Sequence, residues 1–286
     1  MGARGRLRSG AVKCELPAAD ATVVTCRASF PIEAVNGKLS SVKRELFMRR
    51  RFFVERFDQG RARVEDEAAH HLGRVLRAQP GQLYELSDGS SAWLGRIETV
   101  TRDRIDFALI EKLDSYIPSL ETTLLLAVVK FDAFEWALEK ATELGVNRIV
   151  PVAASRSEKA LLSAAAKRAE RWKKILLEAS QQSRRLQVPQ LAVLAQPETA
   201  FQSNNQGLRV LLSESPEAVP LRKLLSAQQA SSAVLAVGPE GGWAGAEFAA
   251  ARSAAFQEAS LGRLILRTET AVVASLAALN FALSSE

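Results

Sequence analysis

The sequence predicts a mixed α/β protein: a small, mostly β domain over residues 48–116, followed by a larger α/β domain over residues 120–286 whose sheet is largely parallel. Three observations predict it. Residues 48–114 contain short β-rich runs separated by turn signals. From about Leu120, buried strand-like runs alternate with helix-like segments, the pattern of a parallel sheet covered on both faces. The 286 residues, 47% of them hydrophobic, suffice for one large domain or two ordinary ones.

In the first domain the β-rich runs are "RFFVERF", "ARVED" and "QLYELSDGSSAWLGRIETVTRDRIDFALI", with Asp88-Gly89 as a hairpin turn signal. Between them, "EDEAAHHLGRVLRAQPG" reads as a short helix ended by Pro80-Gly81. "EKLDSYIPSL" then reads as a linker.

In the second domain "TLLLAVV" is a buried strand, and "DAFEWALEKATELG" is a helix with Asp132 as N-cap, Glu135 as its capping-box partner and Gly145 at its close. Strand "NRIVPV" and a long helix through "KRAERWKKILLEASQQS" follow. Further strands are "LRVLLSE", "AVLAVG" and "ASLGRLIL", with helices near 219–227, 245–255 and 269–283. Trp136 and Trp172 fall at helical spacing among apolar residues and read as packing.

Composition narrows the function. No apolar run reaches the roughly 18 to 20 residues that cross a bilayer, and the N-terminus lacks the apolar region of a secretory signal, so a cytoplasmic protein is expected. Cys14 and Cys26 and the adjacent His70 and His71 form no metal-ligand spacing, so no metal is expected. The net charge of +6 is concentrated at the start: residues 1–47 hold eight Lys/Arg against four Asp/Glu, whereas residues 48–114 hold twelve of each. Global charge is therefore weak evidence for a nucleic acid. Residues 1–47 lack periodicity and are read as an extension, either disordered or upstream of a native start at Met48.

Two loops carry the chemistry. "GPEGGW", residues 238–243, follows a buried strand and precedes a helix, the place where open α/β sheets bind ligands. It matches neither the P-loop nor the G-x-G-x-x-G dinucleotide pattern. Alone, its Gly-Gly pair is more often a plain turn than a site. "SLGRLILRTETA" places Gly262, Arg263, Arg267, Thr268, Glu269 and Thr270 at a second strand-to-helix junction. Helix chemistry explains Thr268 as an N-cap and Glu269 as a first-turn acid, but not Arg267 before them.

Together "GPEGG", "LGRLILRTETA", "MRRRFFV", "HHLGRVLR" and "KATELGVNRIVPV" closely resemble the ribosomal RNA small subunit methyltransferase E family, the N3-methyluridine enzymes. The resemblance runs from Met48 to about Leu283. It implies a PUA-like RNA-binding domain and a C-terminal SPOUT-type α/β domain with a trefoil knot. It further implies S-adenosylmethionine as cofactor, 16S rRNA of the small ribosomal subunit as substrate, and a homodimer.

By the same resemblance the cofactor is held by Gly238, Pro239, Glu240, Gly241 and Gly242, and by Leu261, Gly262, Leu266, Arg267, Thr268, Glu269 and Thr270. Leu261, Ile265 and Leu266 would supply the apolar contact that small-molecule pockets require. RNA contacts are expected at Arg49, Arg50 and Arg51, with Phe52 and Phe53 in the core, and at His70, His71, Arg74 and Arg77. Lys130, Gln182 and Arg185 also match family positions, while Phe131, Gln181 and Arg184 depart from the family pattern. Arg184 is then a candidate for an added phosphate contact.

Methyl transfer from a sulfonium needs alignment and a destination for the uracil N3 proton. Arg267 and Arg185 are the candidates for stabilising charge on the uracil oxygens, and Glu269 for accepting the proton or holding an arginine. Two other readings stay open: another SPOUT reaction, such as ribose 2′-O-methylation, and an RNA-binding protein without catalysis.

Overall fold

The computed structural model describes residues 50–75, 77–226 and 229–284. The extension over residues 1–47, Met48, Arg49 and the side chain of His71 lie outside the described residues.

Period-2 alternation builds the first sheet. Strands β1 (Arg51–Phe53), β2 (Phe57–Asp58), β3 (Arg61–Glu65), β4 (Leu83–Ser87), β5 (Ala92–Val100) and β6 (Arg104–Leu113) assemble in the order β1-β4-β5-β6-β3-β2. All neighbours are antiparallel except β1 and β4. In β3, Ala62 and Val64 point inward, and in β6 Ile105 and Phe107 do, so alternate residues join Phe52, Leu72, Leu86 and Ile97 in one core. The Asp88-Gly89 turn closes the β4–β5 hairpin: Gly89 has φ +85°, and the Asp88 carboxylate accepts from the Ser90 and Ser91 amides at 2.9 and 2.8 Å. The helix expected in "EDEAAHHLGRVLRAQPG" is present as α1 (Asp66–His70), continued by a π-helical turn over His71–Val75.

Strand β6 runs to Leu113, three residues into the stretch expected to be linker, because Ala92, Trp93 and Leu94 of β5 continue to pair with it. On the outer face Asp106 accepts from Arg63 Nε (3.0 Å) and Thr99 Oγ1 (2.9 Å) and pairs with Arg104 Nε (3.0 Å). Burial alone would raise this carboxyl, but those partners outweigh it and hold it below the usual 3.8. A depressed carboxyl stabilises the fold above its unfolded value, and the contribution is lost as pH falls through the folded value. Asp106→Asn is therefore expected to cost about 1 kcal/mol or less at pH 7, in thermal melts whose difference from the wild type shrinks under acid.

The second sheet is parallel throughout. Its order is β11-β13-β10-β12-β7-β8-β9, formed by β7 (Glu121–Ala127), β8 (Arg148–Val152), β9 (Gln190–Leu191), β10 (Leu208–Leu212), β11 (Val219–Pro220), β12 (Ser232–Val237) and β13 (Gln257–Ser260). Both faces are apolar, as a fully covered sheet demands. Leu124 and Leu126 of β7 pack under α2 (Phe131–Glu143), α3 (Lys159–Gln182) and α7 (Thr268–Leu283), against Phe134, Leu138, Trp172, Val272 and Leu276. Leu125 and Ala127 face the other layer, where α4 (Pro197–Ser203) and α6 (Gly245–Ser253) bring Phe201, Trp243 and Phe256 together. A short helix, α5 (Leu221–Ser226), precedes β12.

Three local expectations are corrected. Helix α2 has Lys130 at its N-cap with no side-chain cap, and Glu135 is buried and paired with Arg168 (3.3 Å) and Arg171 (2.7 Å) of α3 instead of capping. A long-range ion pair takes the carboxylate that the local rule assigned to a capping box. Trp172 is buried against Phe134, but Trp136 is 44% exposed, with Lys140 Nζ 6.0 Å from its ring centre. Strand β13 stops at Ser260, and Leu261–Leu266 is loop, broken by Gly262 at φ +140°.

No helix among the described residues is long and apolar enough to cross a membrane.

Candidate active site

Strands β13, β10 and β12 are adjacent and parallel, so the loops leaving their carboxyl ends converge. Between them lies a cavity of about 360 Å³. Its walls are Leu212–Ser215 after β10, Val237–Trp243 after β12 and Leu261–Leu266 after β13, closed by Thr268 and Ala271 of α7 and by Arg156 from the turn after β8.

The sequence shapes each wall locally. In "GPEGGW" the Gly242 amide donates to Pro239 O at 2.8 Å, closing a turn with Gly242 at φ +70°, a conformation that suits glycine. Trp243 then turns inward, 3% exposed, with its ring against Gly238 and Phe201. Its indole N–H is buried without a partner among the described residues. Thr268 Oγ1 donates to Gly238 O at 3.1 Å and ties the β12 loop to α7. Thr268 is thus the first helical residue, not the N-cap expected for it. Arg267 holds the N-cap position without a side-chain cap. At the rim Leu264 and Ile265 are 83% and 78% exposed, an apolar edge left open on the cavity.

Of the residues expected to hold a cofactor, Gly238–Gly242, Leu261, Gly262, Ile265, Leu266 and Thr268 line this cavity. Arg267, Glu269 and Thr270 do not; they occupy the N-cap and first turn of α7, with Arg267 and Thr270 exposed and Glu269 half-buried. Sequence reasoning missed Arg156, Trp243, Leu264 and Ser213–Ser215. The signal for the last was "LLSESPE", a polar stretch at the carboxyl end of an apolar run.

Arg185 is placed elsewhere. Its Nη1 donates to Thr142 O (2.8 Å) and its Nε to Gln187 O (3.1 Å), beside a second cavity shared with Tyr116, Asn280 and Phe281. Burial lowers its guanidinium from the usual arginine range to about 10, which leaves it charged at neutral pH.

Arg51, expected to face RNA, is 6% exposed. It stands opposite Glu85 in the β1–β4 register, donating to Glu85 Oε2 from Nε (3.2 Å) and Nη2 (3.0 Å), and from Nη1 to Arg184 O (2.7 Å). Arg184, at φ +57°, pairs with Glu85 Oε1 at 3.3 Å, so this guanidinium also serves the interior junction. Ser87 Oγ donates to Leu186 O (2.8 Å) and Gln187 Nε2 to Gly89 O (2.7 Å), stitching the β4–β5 hairpin to the turn after α3. Arg50, Arg74, Arg77, Lys130 and Gln182 are exposed and His70 is half-buried; Phe52 is core and Phe53 half-buried. Among the described residues no group of three or more His, Cys, Asp or Glu converges on a point that would hold a metal.

Comparison with known proteins agrees with this architecture. The RNA methyltransferase domain family model matches residues 117–280, and the RNA methyltransferase PUA domain model matches residues 64–110. The ribosomal RNA small subunit methyltransferase E of Synechocystis is 32% identical over 232 residues, covering 76% of this chain and 71% of its own. That of Mycobacterium bovis is 31% identical over 236 residues, covering 79% and 89%. The crystal structure of the Neisseria gonorrhoeae ribosomal RNA small subunit methyltransferase E, bound to S-adenosyl methionine, superposes with a TM-score of 0.74 at 29% identity, covering 82% of this chain and 98% of that one. With a PUA domain ahead of a methyltransferase domain, the chain belongs to the ribosomal RNA small subunit methyltransferase E family.

Proposed function

We propose that this protein methylates N3 of a uridine in 16S rRNA, using S-adenosylmethionine held in the cavity between the β10, β12 and β13 loops. The observation that carries the reading is the cavity's make-up. Backbone from two glycine-bearing loops forms its walls, an apolar rim is left exposed, and neither loop has a phosphate-binding motif. Its volume of about 360 Å³ suits a small molecule. Gly238–Gly242, Leu261, Gly262, Ile265, Leu266 and Thr268 would hold the cofactor, and we read the domain that carries them as a knotted SPOUT domain.

S-adenosylmethionine supplies, when bound, a methyl group already activated by its sulfonium. The chain's own residues align the base and manage charge. Arg267 is exposed at the N-terminus of α7, next to the Thr268 that closes the cavity, where its guanidinium and the helix dipole would together stabilise negative charge on the uracil oxygens. Glu269, one turn position on, is the candidate acceptor for the N3 proton. Arg267→Ala is expected to lower the single-turnover rate by about 100-fold or more while cofactor affinity stays within a few-fold; an unchanged rate removes Arg267 from the mechanism.

Arg185 shares a cavity with Phe281, thirteen residues along α7 from Thr268. At 1.5 Å per residue that is about 20 Å away, so Arg185 reaches a reacting base only if a second copy presents it. A homodimer does so, and the exposed Tyr116, Ile117 and Phe281, the last 95% exposed, offer it an apolar surface. The rRNA partner is met by Arg50, Arg74, Arg77 and Lys130, and the reaction belongs in the cytoplasm. Nucleotide-resolution mapping of 16S rRNA with and without the gene tests substrate and atom together: an N3-methyluridine that disappears on deletion supports the reading, and a lost ribose methyl overturns it.

A further inference from the structure

The glycine loop that forms one wall of the cavity has a back as well as a front. Three of its residues over 238–242 are glycines, which lose the most backbone freedom on ordering, so a loop of this composition holds one shape only if something outside it does the holding. On the α7 side Thr268 supplies one bond, to Gly238 O. The opposite side is held from β8, two strands from β12 and so about 10 Å across the sheet edge.

Two side chains bridge that gap. Glu247, third residue of α6, is 1% exposed and makes no ion pair among the described residues. One carboxylate oxygen accepts from the Ala244 amide at 2.6 Å, the reach-back of a capping box. The other accepts from the Ser155 amide at 2.8 Å, in the turn after β8, a bond that helix capping does not require. Arg156, next in that turn, crosses to the loop in the opposite sense: its Nη1 donates to Gly241 O. Its stem lies flat on the glycine, so that a Cβ at 241 would meet Arg156 Cδ at 3.3 Å. A side chain at 241 would make the arginine give by a few tenths of an ångström.

We propose that Glu247 and Arg156 are positioning residues for the cofactor: a two-point clasp that fixes the Gly238–Trp243 loop from the β8 side, with Arg156 also at the cavity's edge, so that the cavity exists before the ligand arrives. The inference rests on the reading of that cavity as the S-adenosylmethionine site. Pre-organisation is worth affinity, because a loop already ordered loses no further freedom on binding. The carboxylate is essential to the clasp. An amide has one accepting oxygen and one donating NH₂, so Gln at 247 satisfies Ala244 or Ser155 and turns a donor toward the other.

The test uses the full chain in two states. Without ligand, hydrogen exchange followed by mass spectrometry over residues 238–248 is expected to speed up about tenfold or more in Glu247→Gln and in Arg156→Ala, with Arg156→Lys intermediate because its ammonium still reaches a carbonyl. With S-adenosylmethionine, calorimetry is expected to show its Kd raised about tenfold in the same order, the loss falling on affinity rather than on the single-turnover rate at saturating cofactor. Exchange and Kd both at wild-type values overturn the clasp. A lowered melting temperature with an unchanged Kd also overturns it, leaving Glu247 a structural residue only. A wild-type protein that binds no S-adenosylmethionine removes the reading of the cavity, and the exchange rates then decide the clasp by themselves.

Discussion

Replacing Glu85 with alanine is expected to lower the unfolding free energy by about 3 to 5 kcal/mol, the usual consequence of stripping the partner from a buried charge. The carboxylate is 4% exposed and receives Arg51 on one oxygen and Arg184 on the other. Its removal leaves Arg51, itself 6% exposed, with only the Arg184 carbonyl to donate to among the described residues. Scanning calorimetry reads the effect directly. The double replacement Arg51→Met with Glu85→Leu is expected to recover part of the loss, because the buried Arg51 charge goes with its partner while the half-buried Arg184 guanidinium still loses Glu85. If the single variant unfolds within about 1 kcal/mol of the wild type, the junction carries far less than a buried pair of this kind does.

A comparable loss, about 3 to 5 kcal/mol, is expected for Trp243→Ala. The ring is buried beside Phe201, centroids 5.6 Å apart, and Phe201 in turn packs on Phe256 at 5.1 Å, so truncation empties one end of an aromatic row packed with α4 and α6. Denaturant unfolding should show a lower midpoint with an unchanged slope. Trp243→Phe should keep most of the stability, since it shrinks the ring without abandoning a hydrogen bond: the indole N–H has no partner among the described residues. The two variants separate volume from polarity. A drop as large in the phenylalanine variant would mean that the N–H has a partner after all.

Much of this was legible in the sequence, for a physical reason that also marks where legibility stops. Period-2 alternation in "ARVED" and continuous apolar runs such as "TLLLAVV" record burial, which is local information, and the corresponding strands are present. The "LGRLIL" run deceived because apolar side chains facing a ligand cavity read like those facing a core; only Gly262 hinted at a break. The Arg49–Arg51 triplet reads as facing RNA, yet Arg51 goes inside because it lies opposite Glu85, thirty-four residues away, a pairing that no short window of sequence contains. Glu135 shows the same thing on a helix, drawn away from the cap by arginines of α3. In the candidate site, the glycine loops were visible because glycine is a backbone signal. Arg156 and Glu247 were not, because what they hold is set by which strands are neighbours.

The Arg51–Glu85–Arg184 junction has a consequence for how the two domains meet a partner. Bonds from Arg51, Ser87 and Gln187 tie the β4–β5 hairpin to the turn after α3, so that swinging the first domain away from the second would break all of them. The two domains therefore present their surfaces at one fixed spacing to whatever they meet together.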